Sequence, residues 1–218
     1  MPLPGSVARA PIGAHGFDTD IKLTAASAGN LQKRGFTFCI RYVSRADSEP
    51  SSDLTTAEAT AILRAGLALM PVQHVARAGW LPSAALGTTN GKNAAKNAGT
   101  VGFPAGVNLW LDLEGVSESA SPQQVIDYCN AWFAEVDKAG FVSGLYVGPQ
   151  AGLNGHDLFF RLRTKHYWKS ASHVPNVDNR GYQMVQSLPH NVAGIDIDSD
   201  VTMNDDFGDA VNWLGPPS

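Results

Sequence analysis

Apolar positions along the chain fall into short runs and amphipathic stripes that take turns almost to its end. The runs "GFDTDIKLT" (16–24), "FTFCIRYV" (36–43), "LALMPVQHV" (67–75), "VNLWLDLEG" (107–115) and "FVSGLYVGP" (141–149) predict five strands, the third weakened by Pro71. Three shorter ones follow: "HYWKSAS" (166–172), "GYQMVQS" (181–187) and "AGIDIDSDV" (193–201). Helical patterns separate most of them. "AASAGNLQKRG" closes on Gly35. "TTAEATAILRAG" sets Thr55 and Glu58 at capping-box spacing and stops at Gly66. The clearest helix is "SPQQVIDYCNAWFAEVDKAG", with Ser121 as cap, Pro122 in the first turn and Gln124 completing a box. Its apolar stripe is Val125, Ile126, Cys129, Trp132, Phe133 and Val136. A Gly/Ala/Asn-rich region from Ala76 to Gly106 predicts a helix in its middle, and "GLNGHDLFFRLRT" a weaker one. No helical pattern separates the last two strands. The tail "NDDFGDAVNWLG" is expected as a short closing helix, and residues 1–13 as a flexible arm.

Eight strands interleaved with helices predict an α/β chain: a single irregular (β/α)8 TIM-like barrel over residues 14–218. The weak helices near strands six to eight are where irregularity is expected. A doubly wound sheet is the alternative, but the first strand runs on without GxGxxG or GxxxxGK[ST], which argues against a nucleotide. The 218 residues suit one domain, and 44% hydrophobic with 17% charged content is ordinary for a folded chain.

The formal charge of -4, with no basic run, makes nucleic acid and anionic membranes poor partners. No apolar run is long enough for membrane insertion. The first residues lack the apolar core of a classical signal peptide, so work outside the cell would call for another export route. Cys39 and Cys129 read as buried free thiols. With no CxxC or HxxxH pair, neither zinc nor any other cofactor is expected.

The candidate chemistry is acidic. Asp112 and Glu114 end the fourth strand two residues apart, hence on one face, with Leu111 and Leu113 on the other. In a barrel, chemistry gathers at the C-terminal ends of strands, so this pair should face the axis at the mouth. Asp18 and Asp20 on strand one, and Asp196, Asp198 and Asp200 on strand eight, fall at equivalent places. Two charges about 6.5 Å apart repel by about 2.5 kcal/mol at an effective dielectric near 20. That is enough to raise one acid by nearly two pKa units. A raised acid beside an ionised partner is what glycoside hydrolysis requires. The same oxygens would also suit Mg²⁺ or Ca²⁺. A plainer alternative is acids that cap loops or pair with bases such as Arg41 and Lys22.

In order, "GFDTD", "LWLDLEG", "GLYVGP", "YWKSAS", "YQMVQS" and "GIDIDSDV" resemble the glycoside hydrolase family 25 lysozymes. They resemble more closely a related glycoside-hydrolase-like family, domain of unknown function 1906. The resemblance runs from about Gly13 to Val201. It implies a β-1,4-N-acetylmuramidase acting on peptidoglycan or a related polysaccharide. Glu114 would be the general acid, Asp112 would position or stabilise the reacting sugar, and Asp18 and Asp198 would line the mouth. Tyr146, Trp168 and Gln183 would contact sugar, with Asp196, Asp20 and Arg41 as further substrate-binding candidates. Tyr182-Gln183 stands where family 25 has Trp-Gln, Asp20 is an extra acid, and the Ala76–Gly106 region is the chain's own. These departures place the chain nearer the second family. A non-catalytic carbohydrate-binding barrel and a metal-dependent hydrolase are the competing readings. His74, near the end of strand three, and Trp80, in the long loop, are secondary candidates for the mouth and for a sugar platform.

Overall fold

The computed structural model describes residues 2–48 and 50–217. After a short outer strand, β1 (Ser6–Arg9), eight strands close a barrel: β2 (His15–Thr19), β3 (Phe38–Val43), β4 (Ala68–Gln73), β5 (Asn108–Leu113), β6 (Val142–Val147), β7 (His166–Lys169), β8 (Met184–Val192) and β9 (Ile195–Thr202). Pairing is parallel from β2 through β8, with β4 joined to β5 through Val72↔Trp110 and Gln73↔Leu111. The expected α/β barrel is therefore present.

Its last strand differs from a (β/α)8 pattern. β9 runs antiparallel to both neighbours, β8 and β2, so the barrel is mixed. Only Ala193 and Gly194 connect Val192 to Ile195, at φ 55° and 84°. Such a two-residue loop with both φ positive is a hairpin turn, whereas a parallel return needs a crossover of a dozen residues or more.

The helices α1 (Ala25–Lys33), α2 (Thr56–Arg64), α3 (Ala84–Val101), α4 (Pro122–Lys138) and α5 (Gly155–Arg161) pack outside. At α4, Ser121 and Gln124 form the full capping box. At α2, Thr55 accepts from the Glu58 amide, but the Glu58 carboxylate turns away to Arg41 and the Leu23 amide, so the box is half made. The middle of the long Gly/Ala/Asn region is one extended helix, α3 (Ala84–Val101), and its glycines meet a packing requirement. A Cβ at Gly87 would lie 2.2 Å from the Tyr128 carbonyl oxygen of α4. Cys39 and Cys129 are buried and free.

Both chain ends depart from expectation. The region expected as a flexible arm is tied down: Ser6–Arg9 pairs with β10 (Asn212–Gly215), Leu3 is buried, and its amide donates to the Gly102 carbonyl. Met1 of that arm lies outside the described residues. The tail expected as a closing helix is strand β10 instead, preceded by a turn in which Asp205 Oδ1 accepts from the amides of Phe207 and Asp209. Trp213 and Leu214 are buried, and Leu214 pairs with Leu69 at the N-terminal half of β4.

Candidate active site

Strand parity delivers the acids. On β5, Trp110 and Asp112 point inward, and Glu114 continues that parity just past the strand end. Asp18 and Asp20 do the same on β2. The antiparallel β9 reaches the mouth with its first residues: Asp198 pairs with Asp18, and Asp200 lies one step deeper, opposite Gln186. A cavity of about 360 Å³ opens there, bounded by Asp18, Asp20, Asp112, Glu114, Asp196 and Asp198, with Tyr42 and His74 beside them. That is within the size range of ligand pockets.

The hydrogen bonds distribute unequally. Gln186 Nε2 donates to Asp18 Oδ2 at 2.8 Å and to Asp198 Oδ2 at 3.3 Å. Tyr42 donates to Asp18 Oδ1 at 3.3 Å. Tyr146 OH fixes Gln186 by donating to its Oε1 at 2.9 Å, and Trp168 Nε1 donates to Asp200 Oδ1 at 2.8 Å. Asp112 Oδ1, Asp198 Oδ1 and Asp200 Oδ2 are buried atoms with no hydrogen-bond partner among the described residues.

Five of these carboxyls are held above the usual carboxylate range. Burial pushes Asp18 up to about 7, with Asp198 adding to the rise and the hydrogen bond from Gln186 opposing it. Burial, then the neighbouring Glu114 and Asp18, hold Asp112 well up. Burial and Asp18 do the same to Asp200. Glu114 and Asp198 are raised less drastically, each chiefly by burial. No ion pair among the described residues reaches Asp18, Asp112 or Asp200, and each faces another acid, so its charged form is disfavoured twice.

Glu114 is held from two sides. Trp80 Nε1 donates to its carbonyl at 2.9 Å, and the Gly79 amide donates to the Gly115 carbonyl at 2.7 Å. On the other side, the Gly148 backbone comes so close that a Cβ there would sit 2.7 Å from Glu114 Oε2. Trp80 is thus engaged as a clamp on the strand end, with its ring edge against Tyr128. His74 stacks on Tyr42 at 4.6 Å, and its Nε2 meets Asp53 Oδ1 at 3.1 Å.

The expected residues divide. Asp18, Asp20, Asp112, Glu114, Asp196 and Asp198 come together. Tyr146 and Trp168 sit beneath the mouth, packed edge to face at 4.6 Å, and act on the acids from below. Two candidates are elsewhere. Arg41 has the outward parity of β3: fully buried, it pairs with Glu58 at 2.8 Å and donates to the Thr19 carbonyl. Gln183 lies at the opposite end of the barrel, donating to Asp205 Oδ2 and the Lys165 carbonyl. Tyr42 and Gln186 were not singled out from the sequence. The signal was available, since both share the parity of residues that must face the axis. Among the described residues no three His, Cys, Asp or Glu side chains are placed to hold a metal ion, and no helix is long and apolar enough to cross a membrane.

A half-buried protonated acid beside a hydrogen-bonded carboxylate can protonate a leaving oxygen and stabilise positive charge on a sugar ring. Comparison with known proteins gives a family and a fold. The family model described as "Rv2525c-like, glycoside hydrolase-like domain" matches residues 29–202. No curated protein matches by sequence. Among solved structures, an uncharacterized B. stearothermophilus protein is similar at TM-score 0.65 and 18% identity, covering 87% of this chain and 96% of that one. The Mycobacterium tuberculosis Tat-secreted protein Rv2525c, in complex with L-tartrate, is similar at 0.66 and 16%, over 91% and 99%. A family 25 glycosyl hydrolase from Bacillus anthracis is similar at 0.61 and 12%, over 90% and 91%. At these identities the likeness is one of fold.

Proposed function

Since the chain belongs to the Rv2525c-like, glycoside hydrolase-like domain family, we propose that it is a glycosidase cleaving the glycan strands of peptidoglycan or a closely related polysaccharide. The observation that carries this reading is the grouping of Glu114, Asp112 and Asp18 around one cavity with unequal surroundings. Glu114 is only half buried, so its carboxyl can reach the leaving oxygen, and burial favours its protonated form. Asp18 has donors on both oxygens, which makes it the deep carboxyl whose charged form is best supported. It stabilises the oxocarbenium-like transition state. Asp112, crowded by both and unpartnered at Oδ1, stays protonated and donates a hydrogen bond to the reacting sugar.

Such a substrate lies in the cell envelope or beyond, so the protein would act there; the similar M. tuberculosis protein is described as Tat-secreted. The test is reducing-end release from purified peptidoglycan and chitin oligomers by the wild type and Glu114→Gln. Release that Glu114→Gln abolishes, with an unchanged melting curve, is the expected result. Retained glycan binding without release by either protein would overturn the enzyme and leave a binding barrel.

A further inference from the structure

Among the described residues one basic side chain lines the cavity, and the reaction proposed above gives it no part. It is His74, directly after β4, whose amide donates to the Val43 carbonyl at 3.1 Å. Its ring lies on that of Tyr42, the centroids 4.6 Å apart and the planes 25° from parallel. Its Nε2 meets Asp53 Oδ1 at 3.1 Å. Asp53 is buried, and this is its one ion pair among the described residues. The Ser52 hydroxyl adds a long contact, 3.4 Å, to the same oxygen. The carboxyl is tied to the strand of Tyr42, because the next amide, that of Leu54, donates to the Tyr42 carbonyl at 3.0 Å. A carboxylate offers only acceptors, so the imidazole turns its Nε2–H toward Asp53 and its ring plane is fixed. What the buried acid secures is thus the pose of a histidine whose side chain is 38% exposed.

That pose matters at Asp18. The Tyr42 hydroxyl donates to Asp18 Oδ1 at 3.3 Å, near the outer limit for such a bond, where a small movement of the donor ring decides whether it forms. The second donor, Gln186 Nε2, is fixed from behind by Tyr146. Each donor to Asp18 is therefore held by one further residue. Against them stand other acids: Asp198 pushes the Asp18 carboxyl up, and Asp112 and Asp200 are each pushed up by Asp18. With burial also opposing the ion, its charged form depends on the two donors. We propose that Asp53 and His74 are positioning residues for Asp18: Asp53 fixes the imidazole, the imidazole fixes the Tyr42 ring, and the Tyr42 hydroxyl is kept on Asp18 Oδ1. The inference rests on the glycosidase reading, in which Asp18 stabilises positive charge on the sugar, and it adds two residues to that site. His74 exchanges no proton with the glycan and acts only through Tyr42.

The experiment is a double-mutant cycle on the full chain, with His74→Ala, Tyr42→Phe and the two together. Two quantities are read: kcat and KM on peptidoglycan, and the titration midpoint of the Asp18 carboxyl by carbon-13 NMR, assigned against Asp18→Asn. The second needs no turnover. Tyr42→Phe should lower kcat severalfold at nearly constant KM and raise the midpoint by about half a pH unit or more. His74→Ala should do the same in part, and should add nothing in the Tyr42→Phe background. Asp53→Asn keeps an oxygen that accepts from Nε2 and should stay near wild type, whereas Asp53→Ala should follow His74→Ala. Additive losses, or a loss confined to KM, overturn the proposal and make His74 a residue that meets the glycan directly. A midpoint that His74→Ala leaves in place overturns it too. Absence of reducing-end release by every form, wild type included, removes the glycosidase reading alone. The NMR cycle then still supports the positioning chain through non-additive shifts, and overturns it if the shifts add or vanish.

Discussion

The two ends of this barrel both bury acids, and they treat them in opposite ways. At the base, Asp205 faces Arg180, Gln183 Nε2 donates to its Oδ2 at 2.7 Å, and two backbone amides fill Oδ1. Arg180 also reaches Asp209 at 3.0 Å, and its guanidinium lies 4.7 Å from the Phe207 ring centre. Every charge in that cluster has a counter-charge or a donor. At the mouth, Asp112, Asp198 and Asp200 each keep an oxygen with no partner. Buried charge that is satisfied holds a fold together. Buried charge left unsatisfied costs stability and is retained where something outside the fold will use it. Residue type does not distinguish the two ends; the company each acid keeps does.

That contrast can be broken in several places. The largest effect is expected from Glu114→Gln, which removes the proposed proton donor and should lower kcat by about 10²–10⁴ while leaving the melting temperature nearly unchanged. At the base the pattern should invert. Arg180→Ala strands Asp205 in the interior and should cost about 3–5 kcal/mol of stability by urea denaturation, with kcat per folded molecule preserved.

Asp112→Asn should cut activity yet stabilise the fold measurably at pH 7–8. The sign follows from linkage: the folded-state pKa of Asp112 lies above its unfolded value. Its burial is therefore costless below the unfolded pKa, and the cost grows as pH rises toward the folded one. The gain should vanish near pH 4, and a variant equally destabilised at both pH values would contradict it. The pH profile of activity carries the same logic. Asp18 is the more strongly raised of the two, to about 7, so the form with Asp18 ionised and Glu114 protonated is a minority at every pH and kcat/KM should follow a narrow bell whose limbs belong to the coupled group. The smallest effect is expected from Trp80→Phe, which deletes the donor to the Glu114 carbonyl and should lower kcat a few-fold with little change in KM.

Much of this was legible in the chain, and the misses share causes. Period-two spacing around Asp112 and Glu114 gave both a strand and its inward face, because a side-chain alternation survives any packing context. Direction does not show in that period. The antiparallel course of β9 was encoded in its short Ala193-Gly194 connection, a signal that lies between strands rather than in them. Arg41 reads in the sequence as a base that could meet these acids, but the parity that sends Tyr42 inward sends Arg41 out to Glu58. Gln183 sits before β8 begins, hence at the base. The two end segments misled for another reason: β1 and β10 stabilise one another, and neither has a partner within its own stretch of sequence.

That last pairing bears on how the chain can be rearranged. Ser6 lies opposite Gly215 in an antiparallel register, on the face away from the mouth. A short linker from Gly215 to Ser6 would span little distance. New termini could then be opened at the Ala193-Gly194 tip to give a circular permutant with β1 and β10 still zipped together. A label or tether attached beside Ser6 or Gly215 would likewise emerge from the back of the barrel, with its front left open.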